Sequence, residues 1–298
     1  MKVFDFFGSY QIGKILNLFP NIGLATSVRL LDDNYTGGLL RVRAWDGSSD
    51  KGQADVLHYN GWVDMNSLLT NLDANATNRG LTTASTLADL VDVGGANYDG
   101  LVPKINDQTG SGNDYIQTIA ALQGRLINGG VMNLLNGKPV ILRSESPSGG
   151  YLSQFNPNTG ATNKGFFYVG DNGFNIGALR NACLMSAAQG GQTYSYYINL
   201  GDTSSVVNAQ DYSPTNEILN GIAFIYTDRD EGYEKTKNQF ILNNYSEFKS
   251  NFNTKGLGYR FNSPNFYGMF SFQEELIWLD TNDMTAKESN INNSFNVF

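Results

Sequence analysis

The stretch Ile105–Leu126, which reads INDQTGSGNDYIQTIAALQGRL, is the part of the chain that bears most directly on the fold. It begins with a tight group of Asn, Asp and Gly residues and continues into an apolar and polar run. Glycine takes positive φ angles without a steric penalty, and Asn and Asp side chains bond to the backbone two residues on. The pattern therefore predicts a structured corner between β elements. Such a corner can hold a cation, bind a sugar or fold back on itself, and the last use is the commonest.

Three segments carry a resemblance to a known family. They are DQTGSGNDYIQT at Asp107–Thr118, SVRLLDDNYTGGLLRVR at Ser27–Arg43 and FQEELIWLDTNDMTAKESNINNSFNVF at Phe272–Phe298. The first segment is the corner, the second lies near the start of the chain and the third is its end. All three resemble parts of the arabinofuranosidase-B-like concanavalin A-like domain. The resemblance implies an all-β, two-sheet antiparallel sandwich of jelly-roll type over residues 21–298, with short helices that include one at the C-terminus. Because such domains occur in arabinofuranosidases and in bacteriophage structural proteins, the fold alone does not define the function.

The composition of the 298-residue chain also favours an all-β fold. It contains 33 Gly, 16 Tyr and 18 Phe, and only 16% of its residues are charged. Sandwiches need many turns and many aromatic core residues. The net charge of −8 and the absence of a Lys/Arg cluster argue against nucleic-acid binding through a basic stripe. No run approaches 18 apolar residues, so we expect no membrane insertion.

Local patterns predict individual elements. Leu87, Leu90 and Val91 have helical spacing after Ser85 or Thr86, which predicts a short helix with one of those residues as its N-cap. From residue 127 onward, strand-like runs alternate with Asn, Gly and Ser turns. The single cysteine, Cys183, excludes an intramolecular disulfide.

Residues 1–20 lie outside the resemblance and form an unusually apolar segment. Helical spacing in its second half ends at Pro20. The segment either packs against its own sandwich or buries in a partner subunit, since so apolar a tail is a liability when exposed. We predict an attachment segment at 1–20, separate from the domain at 21–298. Its attachment residues are Phe4, Phe6, Phe7, Ile12, Ile15, Leu16 and Phe19.

Aromatic residues in the turn-rich stretch 44–66 are candidates for glycan binding. Trp45, Tyr59 and Trp62 would stack on sugar faces if exposed, although core or interface packing is the commoner use of such residues. His58 is the only histidine, which excludes a His-based catalytic dyad or zinc site. Arg41 and Arg43 either bind an acidic sugar or, as is more usual, pair with local carboxylates such as Asp46 or Asp50.

The sequence predicts no catalytic residues, no metal site and no cofactor. A retaining glycosidase needs two carboxylates about 5 Å apart. The resemblance implies an acid in the stretch matched by Gly256–Tyr267, which contains no Asp or Glu, and a nucleophile near Asp202, which is not a clear match. Glu274 and Glu275 are adjacent on a predicted strand and therefore point to opposite faces. We interpret the acidic loop at 228–231 as solvated rather than as a calcium site.

These observations lead to one functional prediction and two alternatives. We predict a non-enzymatic bacteriophage virion protein, a spike, fibre-head or decoration subunit, made in the host cytoplasm because no signal peptide is visible and located on the virion surface. Its expected partners are other virion proteins, further copies of itself and a host cell-surface glycan. The alternatives are a glycoside hydrolase of arabinofuranosidase type and a glycan-binding, lectin-like module.

Overall fold

The computed structural model describes most of the first half of the chain and the strands and C-terminal helix of the second half. The described residues are 14–135, 137–142, 151–153, 163–170, 181–189, 192–199, 206–210, 218–227, 236–246, 255–257, 271–280 and 282–295. Within them the structure is dominated by β-strands. No helix in these ranges is both long and apolar enough to cross a membrane.

The elements of the described residues follow one another in chain order. The α-helices are α1 (Ile15–Leu18), α2 (Ala74–Asn78), α3 (Leu87–Val91) and α4 (Met284–Phe295), and a 3-10 helix covers Ala120–Leu122. The strands are β1 (Ile22–Ser27), β2 (Leu40–Trp45), β3 (Asp50–Val56), β4 (Leu69–Thr70), β5 (Asp92–Val93), β6 (Ala96–Asn97), β7 (Asp99–Ile105), β8 (Tyr115–Ile116), β9 (Gly124–Asn128), β10 (Val131–Met132), β11 (Leu134–Leu135), β12 (Lys138–Pro139), β13 (Ile141–Leu142), β14 (Tyr151–Ser153), β15 (Asn163–Gly170), β16 (Asn181–Gln189), β17 (Gln192–Asn199), β18 (Val206–Gln210), β19 (Ile218–Thr227), β20 (Thr236–Ser246), β21 (Lys255–Leu257), β22 (Ser271–Phe272) and β23 (Glu274–Trp278).

Two large sheets form an all-β sandwich, which confirms the predicted fold class. The smaller sheet has the strand order β1-β23-β15-β19-β20. The larger sheet runs β18-β17-β16-β21-β14-β8-β7-β2-β3-β4, with β9, β10, β13 and β22 attached beside this path. The strand pairs are antiparallel except for β15 and β19, which are parallel. The predicted C-terminal helix is α4, and α3 begins at the predicted N-cap Thr86, whose side chain accepts the Asp89 N–H.

The corner at Asn106–Asp114 joins the two sheets. Gly110 and Gly112 take φ angles of 76° and 74°, as the sequence predicts for this turn. One carboxylate oxygen of Asp107 accepts the Ala25 N–H at 3.1 Å, and the Gln108 N–H donates to the Ala25 carbonyl at 2.7 Å. The corner of the larger sheet therefore covers the outer edge of β1, which would otherwise expose unpaired backbone groups.

Gln108 extends this connection to the segment that follows β1. Its side-chain oxygen accepts the Leu31 N–H at 2.8 Å, and its side-chain amide donates to the Arg29 carbonyl at 2.8 Å. A primary amide carries both a hydrogen-bond donor and an acceptor. The buried Gln108 side chain therefore makes the two backbone hydrogen bonds that a neighbouring strand would otherwise make. The Asp107 and Gln108 side chains are thus used on the chain's own backbone, whereas the buried side-chain oxygen of Asn106 has no hydrogen-bond partner among the described residues.

A buried ion pair fastens α4 to the smaller sheet. The Arg29 guanidinium donates to both carboxylate oxygens of Glu274, at 2.6 and 2.9 Å. Its remaining terminal nitrogen donates to the Asn290 side chain at 3.3 Å and to the Ser294 hydroxyl at 2.6 Å, both on α4. The same guanidinium lies 5.3 Å from the centroid of the Phe295 ring. One arginine therefore ties β23 to the C-terminal helix.

The described part of the N-terminal segment packs against the same chain. Ile15 is fully buried, and the Leu16 N–H donates to the Leu31 carbonyl at 2.9 Å. The Trp278 indole N–H donates to the Phe19 carbonyl at 3.0 Å. The buried Lys287 ammonium lies 4.7 Å from the Trp278 ring and 5.8 Å from the Phe19 ring. Packing of the sandwich therefore extends at least to residue 14.

This packing accounts for three of the predicted attachment residues, Ile15, Leu16 and Phe19, which contact their own domain. The other four, Phe4, Phe6, Phe7 and Ile12, lie outside the described residues. Residues 14–20 therefore contact the same chain, and the division of the chain at residue 20 stays a prediction. An attachment role for residues 1–13 stays a prediction.

Candidate functional site

The adjacent acids Glu274 and Glu275 point to opposite faces of β23, as the strand period predicts. Glu274 contacts Arg29 and the Ser27 hydroxyl, which donates at 2.8 Å. Glu275 accepts a 2.6 Å hydrogen bond from the Tyr115 hydroxyl of the larger sheet. Burial, followed by the negative charge of Glu275, raises the pKa of Tyr115 well above its usual value. Each of the two carboxylates therefore links a different part of the fold to β23.

The remaining buried carboxylates of the described residues, Asp107 and Asp55, are also engaged in structural contacts. Asp107 accepts the Thr109 hydroxyl at 2.7 Å in addition to backbone N–H groups. Burial raises the pKa of Asp107, while the hydrogen bonds from Thr109 oppose that rise. Asp55 accepts the Arg41 guanidinium at 2.9 Å and the Asn71 amide at 2.8 Å. All of these acids hold strands or turns together.

The arginines of β2 pair with local carboxylates, which was the commoner of the two predicted uses. Arg41 pairs with Asp55, and Arg43 lies 3.0 Å from Asp50. Asp46 is used differently, because its carboxylate contacts the Lys51 ammonium at 2.7 Å. That contact, together with the backbone N–H groups of Ser48 and Ser49, lowers the pKa of Asp46. Both arginines therefore lie beside carboxylates of the same chain, although the buried Nε of Arg43 lies near Asp50 without a hydrogen bond to the described residues.

The three predicted glycan-binding aromatics do not form one site. Trp45 is the last residue of β2, where it lies opposite Asp50 at the start of β3. Tyr59 and Trp62 follow the far end of β3, whose seven residues span about 20 Å at about 3.3 Å per residue. The sequence distance between Trp45 and Tyr59 is short, but the intervening strand carries them to opposite ends of the ladder. Only Tyr59 and Trp62 remain together.

Tyr59 and Trp62 are held by a tight two-residue turn. Their backbones exchange two hydrogen bonds, at 2.7 and 3.1 Å, across Asn60 and Gly61. These central residues have φ angles of 52° and 85°, as a type I′ turn requires. The Gly61 carbonyl also accepts the Leu30 N–H at 2.8 Å, which fixes the turn to the domain. The Tyr59 side chain is 47% exposed and is thus presented to solvent on a rigid support.

Cationic groups surround this turn. The Lys138 ammonium lies 4.5 Å from the centroid of the Trp62 ring, whose face it covers, while the Phe295 ring meets Trp62 edge-on at 5.3 Å. The Lys14 ammonium approaches Gly61 so closely that a Cβ built on that glycine would lie 3.0 Å from it. Partial burial and the charge of Lys14 lower the pKa of His58. We call His58–Trp62 with Lys14 and Lys138 the turn surface.

Sequence reasoning found the aromatic residues of the turn surface but missed its two lysines. Lys14 belongs to the segment assigned to attachment, and Lys138 follows an Asn-Gly turn far along the chain. Neither has a local pattern that joins it to Trp62. The one available signal was the Asn60-Gly61 dipeptide, which is typical of a type I′ turn and so indicates a rigid Tyr59–Trp62 pair.

Several predicted features lie outside the described residues. They are Asp202, the acidic loop at 228–231 and residues 258–267 of the stretch from which the resemblance implied a missing acid. In the part of the chain that is described, no three His, Cys, Asp or Glu side chains are grouped so as to hold a metal ion.

Comparisons with known proteins give only distant likenesses. No protein-family model matches the chain, and no curated protein matches it. Similar solved structures include a GH54 α-L-arabinofuranosidase soaked with a cyclic sulfate inhibitor and a mutant GH54 enzyme soaked with 4-nitrophenyl α-L-arabinofuranoside, each with 16% identity and a TM-score of 0.48. A third is an arabinofuranosidase complexed with arabinofuranosyl-α-1,2-xylobiose, with 17% identity and a TM-score of 0.48. The matches cover 94% of this chain but 64% of those chains, so this chain spans less than two thirds of their length.

Proposed function

We propose that this chain is a non-enzymatic structural protein of a bacteriophage particle. Its sandwich is the exposed part, a spike, fibre-head or decoration subunit on the virion surface, and it recognises a host-surface glycan. The observation that supports a structural role most strongly is the use of the buried carboxylates. Asp55, Asp107, Glu274 and Glu275 are each bound to groups of the same chain.

The chemistry of glycoside hydrolysis explains why this observation matters. A retaining enzyme needs one carboxylate to attack the anomeric carbon and a second to protonate the leaving oxygen, both facing one substrate. Glu274 and Glu275 face opposite sides of a strand that is buried over its whole length. Each of the two carboxylates is hydrogen-bonded to a buried side chain of the same domain, Arg29 or Tyr115. These contacts are suited to a rigid scaffold.

The bacteriophage assignment is supported by the resemblance of three sequence segments to sandwich domains found in phage structural proteins. The apolar residues 1–13 provide an attachment element for other virion proteins or for further copies of this chain. Phe4, Phe6, Phe7 and Ile12 supply its apolar side chains. Residues 14–20 support the sandwich and would stay with it.

Purified particles provide the decisive test of the virion role. We expect mass spectrometry of density-purified phage to detect this chain at a constant ratio to the major capsid protein. The recombinant full chain is expected to show no turnover of 4-nitrophenyl α-L-arabinofuranoside. Turnover that is lost in Asp202→Asn, but kept in the matched surface variant Asp33→Asn, would overturn the proposal in favour of a glycosidase. Absence of the chain from particles would overturn it as well.

Deletion of residues 1–13 tests the attachment role separately. Because the buried Ile15 is retained, we expect the shortened chain to keep the circular dichroism spectrum and unfolding curve of the full chain. We also expect it to fail to incorporate into particles in a complementation assay. Normal incorporation of the shortened chain would show that attachment runs through the sandwich surface.

A further inference from the structure

The lysines of the turn surface differ from the other described Lys and Arg side chains in their hydrogen-bond and ion-pair partners. Among the Lys and Arg side chains that the structure describes, those elsewhere contact a carboxylate or, for Arg79, backbone carbonyls. Lys14 and Lys138 are the two for which no such partner is found among the described residues. Both approach the same tight turn, Lys14 at Gly61 and Lys138 at Trp62.

Lysines without a carboxylate partner among the described residues are unexpected in a chain of this charge. The net charge is −8, so carboxylates are available in excess to pair with them. Surface ion pairs contribute little to stability, so leaving a lysine unpaired carries little structural penalty. An unpaired ammonium beside a rigid turn does, however, provide a point charge that can contact an anionic group of a ligand.

Tyr59 adds an apolar contact next to these charges. Tyr59 is 47% exposed, and its backbone is fixed through both hydrogen bonds to Trp62. Residues paired in this way carry their side chains on the same face, with Cβ atoms about 5 Å apart. A rigid aromatic side chain offers a flat apolar surface with little loss of conformational entropy on binding. The C–H face of a pyranose ring fits such a surface.

We propose that the turn surface binds an acidic glycan. The Tyr59 ring contacts the apolar face of one sugar, and the Lys14 and Lys138 ammonium groups contact the carboxylate or sulfate of an acidic residue. The proposal rests on the glycan recognition included in the proposed function, and it adds the site and the chemical class of the sugar. The overall negative charge of the chain repels densely charged polyanions such as nucleic acid, whereas a glycan with widely spaced anionic groups needs only this local pair of cations.

The test uses a matched set of oligosaccharides on the full chain. The probes are a tetrasaccharide of alternating glucuronate and N-acetylglucosamine, the same compound with its carboxylates reduced to alcohols, and a sulfated form of the reduced compound. We expect calorimetry to show binding to the two anionic probes and about tenfold weaker binding to the neutral one, which corresponds to about 1.4 kcal/mol. Discrimination between the two anionic probes identifies the preferred acidic group.

Variants assign the binding to the turn surface. The double variant Lys14→Gln/Lys138→Gln is expected to bind the anionic probes only as well as the neutral probe, and Tyr59→Ala to weaken binding of all three. Lys51→Gln, which removes a lysine that is paired with Asp46, is the control and should bind like the unchanged chain. Equal binding of neutral and anionic probes, unchanged binding by the double variant, or no binding by the unchanged chain would overturn the inference. Particle mass spectrometry is independent of these results, so the virion role can stand even where the site assignment fails.

Discussion

The corner at Asn106–Asp114 and the turn surface are both tight, glycine-containing turns with polar residues, but their side chains face in opposite directions. Asp107 in the corner is 3% exposed, and its oxygens accept hydrogen bonds from Ala25 and Thr109. In the turn surface Tyr59 is about half exposed, and two lysines have no carboxylate partner among the described residues. Asp107 and Gln108 of the first turn bind groups of the fold, whereas we propose that the second turn binds a ligand.

This difference separates a turn whose side chains bind groups of the fold from a turn for which we propose ligand binding. Buried polar groups must be hydrogen-bonded, so a corner that joins two sheets has few groups left over. A turn at the surface has no such requirement, since water satisfies its groups until a ligand replaces it. The number of polar atoms that are already engaged by the chain is therefore more informative about function than the residue types in the turn.

Removal of Arg29 is expected to give the largest loss of stability. Arg29→Met leaves Glu274 buried without its partner, and breaking such a pair by one substitution costs about 3–5 kcal/mol. Urea unfolding measures the effect. The control is Arg125→Met, which removes an exposed pair with Asp99 and should change the free energy of unfolding by less than about 1 kcal/mol. Similar losses in both variants would show that α4 is not held by the buried pair.

Substitution of Ile15 is expected to give the next largest loss of stability. It tests whether residues 14–20 are part of the folded domain. Ile15→Ala removes a fully buried side chain and should lower the free energy of unfolding by about 2–5 kcal/mol. Leu18→Ala on the same helix is the matched control, since Leu18 is 52% exposed, and it should change the free energy by at most about 0.5 kcal/mol. A neutral Ile15→Ala would return residues 14–20 to the attachment segment.

Alkaline pH is expected to lower the free energy of unfolding by a smaller amount. This loss depends on the negative charges near Tyr35 in the corner. Burial, followed by the charges of Asp114, Asp107 and Asp55, raises the pKa of Tyr35 to about 12. An unfolded tyrosine ionises near pH 10, so between about pH 10 and 12 the folded state keeps a proton that the unfolded state has lost. Stability should therefore fall as the pH rises through this window.

Tyr35→Phe isolates this contribution in urea unfolding at a series of alkaline pH values. We expect the variant to lose less stability with rising pH than the unchanged chain. Some dependence should persist, because the pKa of Tyr115 is raised for related reasons. If the free energy of unfolding depends on pH identically in the two proteins, the pKa of Tyr35 is not raised by burial and the nearby carboxylates.

The sequence was informative where a local pattern has one physical solution. Adjacent residues on a strand must face opposite sides, so the separation of Glu274 from Glu275 could be predicted. An N-cap at Ser85 or Thr86 could also be predicted, and the structure shows that it is Thr86. The helical spacing of Ile12, Ile15, Leu16 and Phe19 predicted an apolar face but not what covers it, because an apolar face packs equally well against its own domain or a partner. Lys14 and Lys138 could not be placed beside Trp62, since that contact depends on long-range folding and not on any local pattern.

Paired unfolding measurements on Asp107→Ala and Tyr59→Ala test the contrast between the two turns most directly. Asp107→Ala leaves the buried Ala25 N–H and the partly buried Thr109 N–H without an acceptor, so we expect it to lower the free energy of unfolding by about 1–3 kcal/mol. Tyr59→Ala removes an exposed ring and should lower it by no more than about 0.5 kcal/mol. A Tyr59→Ala variant that is as destabilised as Asp107→Ala, or an Asp107→Ala variant that is as stable as the unchanged chain, would contradict the account.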